Sequence, residues 1–139
     1  MKPTFILAAI CCITLAMTAP AHAGEKTEKR VAYTLRNMHL NKQTQAAFEP
    51  LLRQYLAEKK VATKEYDNLK DKYKSAKKSG TLTDSQATQL LDAKFKADAA
   101  ELEVKRKWRK EFLRVLTAKQ TYYAFDYAGD KMSKIEEDD

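Results

Sequence analysis

The stretch Lys77-Lys78-Ser79-Gly80-Thr81-Leu82-Thr83-Asp84-Ser85-Gln86 ends one helix and begins another. Two lysines followed by a glycine are typical of a helix C-terminus, where cations face the negative end of the helix dipole and glycine takes a left-handed conformation. Thr83 can then cap the next helix, and Gln86 can return a hydrogen bond to the Thr83 N–H, as in a capping box. Because the turn is so short, the sequence predicts an antiparallel helical hairpin.

Apolar residues before this turn recur at steps of four and three. They are Phe48, Leu52, Tyr55, Ala62, Tyr66, Leu69, Tyr73 and Ala76, with the polar Lys59 in one place. This spacing is the heptad pattern of a helix that packs along one partner helix. It predicts a single helix from about residue 42 to residue 78, kinked but not broken near Pro50. Such a helix would be roughly 55 Å long at about 1.5 Å per residue, so we expect an elongated domain.

The helix after the turn is predicted to run from Thr83 to about Val115. Its predicted apolar side consists of Ala87, Leu91, Phe95, Leu102, Trp108, Phe112 and Leu116. In a hairpin with this turn, the numbers of facing residues should sum to roughly 163. That register predicts Leu69 near Phe95 and Tyr55 near Trp108.

The Leu-Thr-x-x-Gln motif at the turn recurs along the chain. Its full copies contain Leu82, Thr83 and Gln86, and then Leu116, Thr117 and Gln120, while an altered copy begins at Leu40 and Asn41. Asparagine caps helices as well as threonine does, so three helix starts are predicted. Two shorter helices should therefore flank the hairpin, one over residues 26 to 38 and one from Thr117, weakened at Gly129. The predicted fold is all-α, with one domain over residues 24 to 139.

The N-terminal residues 1 to 23 have the pattern of a signal peptide. Lys2 precedes an apolar run from residue 5 to residue 17, and Ala21-His22-Ala23 has the small-x-small form of a cleavage site. Both cysteines, Cys11 and Cys12, lie in the apolar run, so the exported product would have no disulfide and no thiolate ligand. We expect a periplasmic location.

The charge is basic but unevenly distributed. The whole chain carries a formal net charge of +7, with 26 basic and 19 acidic residues, and removing Lys2 with the signal peptide leaves +6. An acidic tail at residues 136–139 holds four of the acids, so the preceding body carries +10. A basic body favours acidic partners. Export puts nucleic acid out of reach, which leaves acidic proteins, envelope polymers or an anionic membrane. Whether the tail folds back to mask the basic face stays open.

These features together resemble the Spy/CpxP family of periplasmic stress proteins, which is named for its Leu-Thr-x-x-Gln motifs. The resemblance rests on the export signal, Leu40-Asn41, the Phe48-Glu49-Pro50 step, the charged hairpin and Leu116-Thr117-Ala118-Lys119-Gln120, and covers residues 26 to 135. It implies an ATP-independent chaperone that forms cradle-shaped antiparallel dimers and holds unfolded clients on a basic, partly apolar surface. Some family members bind an envelope sensor kinase or respond to metals, so the alternative is a regulator that docks on an envelope sensor protein.

The client surface implied by this resemblance would lie where cations surround spare apolar residues. The candidates are Lys105, Arg106, Lys107, Trp108, Arg109, Lys110, Phe112 and Arg114. The competing interpretation places Trp108 and Phe112 in the hairpin core, with the cations as an ordinary solvated face. Tyr122, Tyr123 and Tyr127 are further candidates, because together with Phe125 they are too many for one narrow helix stripe. They would form a dimer or client surface, or pack against the first helix.

The sequence offers little for metal binding or catalysis. After the signal peptide, His39 is the one histidine, and without cysteine it cannot assemble the nitrogen or sulfur ligands of an ordinary zinc site. We predict no metal site and no cofactor. With no phosphate-binding loop and no serine-histidine arrangement, we also predict no enzymatic activity. The expected partners are unfolded or acidic proteins, an envelope sensor protein and a second copy of the chain. A third hypothesis is peripheral binding of residues 105 to 119 to an anionic membrane.

Overall fold

The structure, a computed structural model, describes residues 24–139, and every regular element in that range is a helix. In chain order the helices are α1 (Gly24–Met38), α2 (Lys42–Lys72), α3 (Lys74–Ser79), α4 (Asp84–Phe112), α5 (Ala118–Ala128) and α6 (Met132–Glu137). The all-α prediction is therefore confirmed for these residues. The signal-peptide prediction for residues 1–23 lies outside the described residues.

The hairpin of α2 and α4 contains the most extensive contact between helices. The Glu58 carboxylate accepts hydrogen bonds from Lys107 Nζ at 2.6 Å and from Trp108 Nε1 at 2.8 Å. Nearer the turn, the Tyr73 hydroxyl donates to Gln89 Oε1 at 2.7 Å. The numbers of these pairs sum to 165, 166 and 162, close to the predicted register.

The three predicted helix starts are present. Thr83 Oγ1 accepts from the Gln86 N–H at 3.1 Å, and Gln86 Oε1 accepts from the Thr83 N–H at 3.1 Å. Thr117 and Gln120 form the same capping box. In the altered copy, Asn41 Oδ1 accepts from the Thr44 N–H at 2.8 Å, which satisfies one free donor.

The turn at Gly80 also follows the prediction. Gly80 has φ of 71°, the left-handed conformation that glycine adopts without steric cost. The Thr81 N–H donates to the Ala76 carbonyl at 2.9 Å and the Gly80 N–H to the Lys77 carbonyl at 3.4 Å. These paired bonds form a Schellman motif, which ends the helix and reverses the chain.

The predicted single helix over residues 42 to 78 is interrupted once, at Tyr73 and not at Pro50. Helix α2 runs through Pro50 without a break. At Tyr73 ψ is 12°, far from the helical value, although the Tyr73 N–H still donates to the Leu69 carbonyl. The Tyr73 side chain is buried in the hairpin and held by Gln89, so tertiary packing overrides helical geometry there.

The core lies at the base of the hairpin, where α1 and α5 cover it. Its buried members are Val31, Leu35, Phe48, Leu52, Tyr55, Leu56, Trp108, Phe112, Leu116, Ala124 and Ala128. The ring of Phe112 is central, with centroids 5.1 Å from Phe48, 5.7 Å from Tyr55 and 5.2 Å from Phe125. Edge-to-face and tilted ring contacts of this kind add to the free energy of apolar burial.

The predicted apolar side of α4 is wrong at three positions. Leu91, Phe95 and Leu102 are exposed, whereas Ala93 and Ala97 are buried. The helix presents two apolar faces at similar spacing, and the face with small side chains meets α2. Alanines let the helix axes approach closely, so the larger side chains are left outside. The predicted proximity of Leu69 to Phe95 stays a prediction, because the exposure of the Phe95 ring does not fix its distance from Leu69.

The shorter helices fasten the two ends of the described chain together. Helix α1 has almost its predicted bounds, but the predicted last helix is divided into α5 and α6 after Ala128. Arg30 Nη1 donates to the Ala128 carbonyl at 2.7 Å and to the Asp130 carbonyl at 2.6 Å. The Tyr33 hydroxyl donates to Asp130 Oδ2 at 2.6 Å. Arg30 thus satisfies backbone acceptors that the end of α5 leaves free.

Two phenylalanines of α4 should differ sharply in their contribution to stability. Phe112→Ala should lower the free energy of unfolding by about 3–5 kcal/mol, because it leaves a cavity in the core. Phe95→Ala should change it by less than about 0.5 kcal/mol, because the ring is exposed. Chemical denaturation followed by circular dichroism measures both. Equal losses would contradict the described packing of α4.

Acid should weaken the contact between Tyr33 and Asp130. The Tyr33 hydroxyl, helped by Lys134, holds the pKa of the Asp130 carboxyl below its usual value despite burial. The stabilisation is therefore complete above the unfolded-state pKa of about 3.9 and is lost as the pH falls through the lower folded-state pKa. Denaturation curves recorded from pH 7 downward should show a smaller acid-induced loss of stability in Asp130→Asn than in the wild type. Asp92→Asn, at an exposed position of α4, is the control and should keep the full loss. A wild-type profile in Asp130→Asn would contradict the argument.

Candidate functional site

The most prominent exposed apolar surface among the described residues is a stripe on α4. Leu91, Phe95 and Leu102 are 52%, 62% and 48% exposed, respectively. Their spacings of four and seven residues place them on one face of the helix. We call these three residues the outer stripe. Leu113, eleven residues after Leu102 and just beyond the end of α4, is also exposed.

Charged side chains border the outer stripe. Lys94 Nζ lies 6.0 Å from the centre of the Phe95 ring and forms an ion pair of 2.8 Å with Asp98. Arg106 pairs with Glu103 at 2.9 Å, on an exposed part of α4. An apolar surface bordered by ions is typical of a site for another macromolecule, because large apolar side chains seldom collect on a free surface.

A depression of about 270 Å³ adjoins the stripe at Leu102. Asp98, Glu101, Leu102 and Lys105 line it. Glu101 accepts ion pairs from Lys59 at 3.4 Å and from Lys105 at 3.0 Å. Burial raises the pKa of Glu101, but the two lysines outweigh burial and leave that pKa below its usual value. Lys59, the polar residue in the heptad pattern of α2, thus forms an ion pair with Glu101 of α4 across the hairpin.

The predicted basic and aromatic site divides into core and surface. Trp108 and Phe112 are buried, and Trp108 Nε1 donates to Glu58, so neither side chain is available to a client in this structure. The core interpretation is the one that fits these two residues. The cations Lys105, Arg106, Lys107 and Arg114 each pair with a carboxylate. Arg109 and Lys110 are exposed and lie more than 4.0 Å from any acidic side chain in the described range.

The predicted tyrosine cluster is also divided. Phe125 packs against the core rings of Tyr55 and Phe112, whereas Tyr122 and Tyr123 are exposed. Tyr123 stacks on Tyr127 with ring centres 5.8 Å apart, so the three predicted tyrosines do lie together.

An open cavity of about 420 Å³ lies beside the stacked tyrosines. Its lining residues are Asn37, Met38, Thr117, Lys119, Gln120, Tyr123 and Tyr127. The end of α1 and the start of α5 thus form a second candidate surface, distant in sequence from the outer stripe.

The acidic tail folds back on α1. Glu136 pairs with Lys29 at 3.9 Å, and Arg36 pairs with Asp138 at 3.3 Å and with Asp139 at 3.8 Å. These contacts are exposed, so each contributes little to stability. The tail therefore neutralises cations of α1 and leaves those of α4 uncovered.

The structure adds three findings about the other predicted sites. His39 lies in the connection between α1 and α2 with φ of 51°. Within residues 24–139, no three histidine, cysteine or acidic side chains converge as a metal site requires. In the same range, no helix is both long enough and apolar enough to cross a membrane.

Comparison with known proteins gives no relative for this chain. It matches no known family, no curated protein and no solved structure. The resemblance to the Spy/CpxP family stays a prediction that rests on the quoted motifs.

The outer stripe is the surface that the sequence patterns did not predict. The heptad pattern predicts Leu91, Phe95 and Leu102 in the hairpin interior, where alanines are found instead. One signal was available: the alanines at 93 and 97 and the valine at 104 also follow steps of four and seven. Because α4 has two apolar faces and one long partner helix, α2, the second apolar face is left without a helix to pack against.

The hydrogen bond from Trp108 should contribute to the stability of the hairpin. Glu58→Ala removes the acceptor of the buried Trp108 Nε1–H, which should cost about 1–3 kcal/mol of unfolding free energy. Glu103→Ala, which removes only an exposed ion pair, should cost less than about 0.5 kcal/mol. Because Trp108 is the single tryptophan of the chain, its fluorescence reports the unfolding of both variants. Equal stability of the two variants would show that the Trp108 contact is energetically neutral.

Proposed function

We propose that this chain is an exported, ATP-independent chaperone-like protein that binds unfolded or acidic polypeptides during envelope stress. The observation that carries the proposal is the outer stripe, three large apolar side chains exposed on a helix that is otherwise highly charged. They are not needed in the hairpin interior, where alanines fill the contact with α2. A spare apolar surface of this kind suits a transient partner.

The cations of α4 give the binding its electrostatic part. Arg109 and Lys110 lie beyond 4.0 Å of any acidic group in the described part of the chain, and they leave a local positive field near the stripe. Such a field speeds the encounter with acidic or flexible chains, and it weakens as salt is added. Apolar contact with Leu91, Phe95 and Leu102 would then slow dissociation. Neither step requires a nucleotide.

The wider proposal follows the Spy/CpxP resemblance. Residues 1–23 would direct export to the periplasm, and two copies would pair as elongated antiparallel hairpins with a shared client surface. Residues 105 to 114 would contribute cations to that surface, without Trp108 and Phe112. The motif-based resemblance supports these points. The solution mass and shape of residues 24–139 test the dimer.

A second candidate is a regulator that docks on an envelope sensor protein. The open cavity of about 420 Å³ beside Tyr123 and Tyr127 favours it, because aromatic and polar side chains together at one place suit a specific protein partner. Crosslinking in envelope extract distinguishes the two functions. A regulator should give one partner, and a chaperone should give many.

Removal of the outer stripe should greatly weaken chaperone activity without unfolding the protein. Residues 24–139 should suppress the aggregation of a chemically unfolded protein, measured by light scattering, and more strongly at low salt than at high salt. The variant Leu91→Ser/Phe95→Ser/Leu102→Ser should lose most of this suppression. Its circular dichroism should remain helical, because all three side chains are exposed.

The control removes an exposed apolar side chain on the other hairpin helix. Val61→Ser should keep the wild-type suppression, because Val61 is exposed on α2 and belongs to neither the outer stripe nor the tyrosine cluster. Failure of the wild type to suppress aggregation at either salt concentration would refute the chaperone proposal. Equal losses in both variants would remove the stripe as its site.

A further inference from the structure

The tip of the hairpin is a separate cationic surface. Lys72, Lys74, Lys77 and Lys78 surround the turn, and the chain has no acidic residue between Asp71 and Asp84. All four lysines are exposed, and none lies within 4.0 Å of a carboxylate among the described residues. The preceding Lys70, in contrast, pairs with Asp67 at 2.7 Å. We call Lys72, Lys74, Lys77 and Lys78 the cationic tip; among them, Lys72 Nζ lies 5.3 Å from the centre of the Tyr73 ring.

The cationic tip is remote from the surfaces considered above. The core residues contributed by α2 end at Leu56. Gly80 follows 24 residues later, which corresponds to roughly 35 Å at about 1.5 Å per residue along the helix. The four lysines therefore do not stabilise the core, and their charges are not needed to hold the hairpin in register, which Glu58 and Gln89 maintain.

The composition of the tip favours an extended anionic surface over a folded protein. No large apolar side chain is exposed between Val61 and Leu91 in the described structure, so the tip lacks the anchor that protein interfaces normally bury. Serine, threonine and glycine accompany the lysines at the turn. The four lysines are exposed around one turn, so a broad anionic surface that meets this end of the hairpin attracts all of them. Lipid headgroups attract lysines in this way without insertion of side chains.

The distribution of charge would orient the molecule on such a surface. The acidic tail packs on α1, at the base of the hairpin, through Lys29 and Arg36. An anionic surface therefore attracts the tip, where no acidic residue offsets the lysines, more strongly than the base, where the acidic tail offsets part of the positive charge. We propose that the cationic tip docks this protein end-on against an anionic phospholipid surface, with the hairpin standing away from it. Docking by the tip is independent of client binding by the outer stripe.

Vesicle binding tests the proposal. Residues 24–139, which contain the whole described core, should co-sediment with vesicles of phosphatidylcholine mixed with phosphatidylglycerol, and not with phosphatidylcholine alone. The variant Lys74→Gln/Lys77→Gln/Lys78→Gln should bind roughly a hundredfold more weakly, since each lysine near the surface contributes about fivefold. Lys74→Arg/Lys77→Arg/Lys78→Arg should bind like the wild type, because it keeps the charge. Circular dichroism checks that each variant remains helical.

The matched control removes the same net charge from the other end of α4 and from α5. Arg109→Gln/Lys110→Gln/Lys119→Gln should weaken binding by less than about tenfold, because these side chains are far from the docked surface. A loss equal to that of the tip variant would show that only net charge matters and would overturn the proposal. Absence of binding to anionic vesicles, or equal binding to phosphatidylcholine alone, would also overturn it.

Fluorescence quenching gives an independent test of orientation. Residues 24–139 contain no cysteine, so single labels can be attached after Ser75→Cys at the tip or Ser133→Cys at the base. A headgroup-attached quencher in the vesicles should quench the label at position 75 and leave the label at position 133 unchanged. Quenching at position 133 alone, or equally at both, would overturn end-on docking. If poly-glutamate displaces the protein and binds the tip more tightly than the vesicles do, the partner is an acidic polypeptide and the membrane assignment is wrong.

Discussion

The contact between Phe112 and the rings around it is the interaction on which the rest of the structure depends. Phe112 belongs to α4, but its neighbours Phe48 and Tyr55 come from α2, and Phe125 comes from α5. One buried ring therefore joins both hairpin helices to the C-terminal helices. Because the base of the hairpin is fixed there, the distal half needs no further layer, and it can carry exposed surfaces at no cost to the core.

The distal half is held by polar contacts and small side chains. Alanines of α4 fill the contact with α2, while Lys59 and Glu101 pair across the hairpin, as do Tyr73 and Gln89. The interface is thus built from small and polar side chains, and Leu91, Phe95 and Leu102 remain on the outer surface. The candidate binding surface is thus a consequence of how the hairpin is closed.

Local signals in the sequence were sufficient for the helix starts, the turn and the register. Thr83 and Thr117 each cap a helix through hydrogen bonds to a residue three positions later in the chain. Gly80 takes the left-handed backbone conformation that the turn requires. The assignment of faces on α4 was not local. Leu91 and Ala93 both fit a heptad pattern, and the packing of α4 against α2 buries Ala93 and leaves Leu91 exposed. Tyr73 likewise departs from helical geometry because of a partner on another helix.

The hydrogen bonds from Arg30 to the Ala128 and Asp130 carbonyls have a consequence for the order of folding. Arg30 and the Asp130 carbonyl that it binds are 100 residues apart, so this contact closes almost the whole described chain into one ring. Closing a ring that large costs conformational entropy. This cost falls once the hairpin has formed and has brought Arg30 and Asp130 closer together. The contacts of the hairpin join residues that are closer together in the sequence, so the hairpin can form first. Helices α1 and α6 should therefore meet last, once the complete chain has been synthesised.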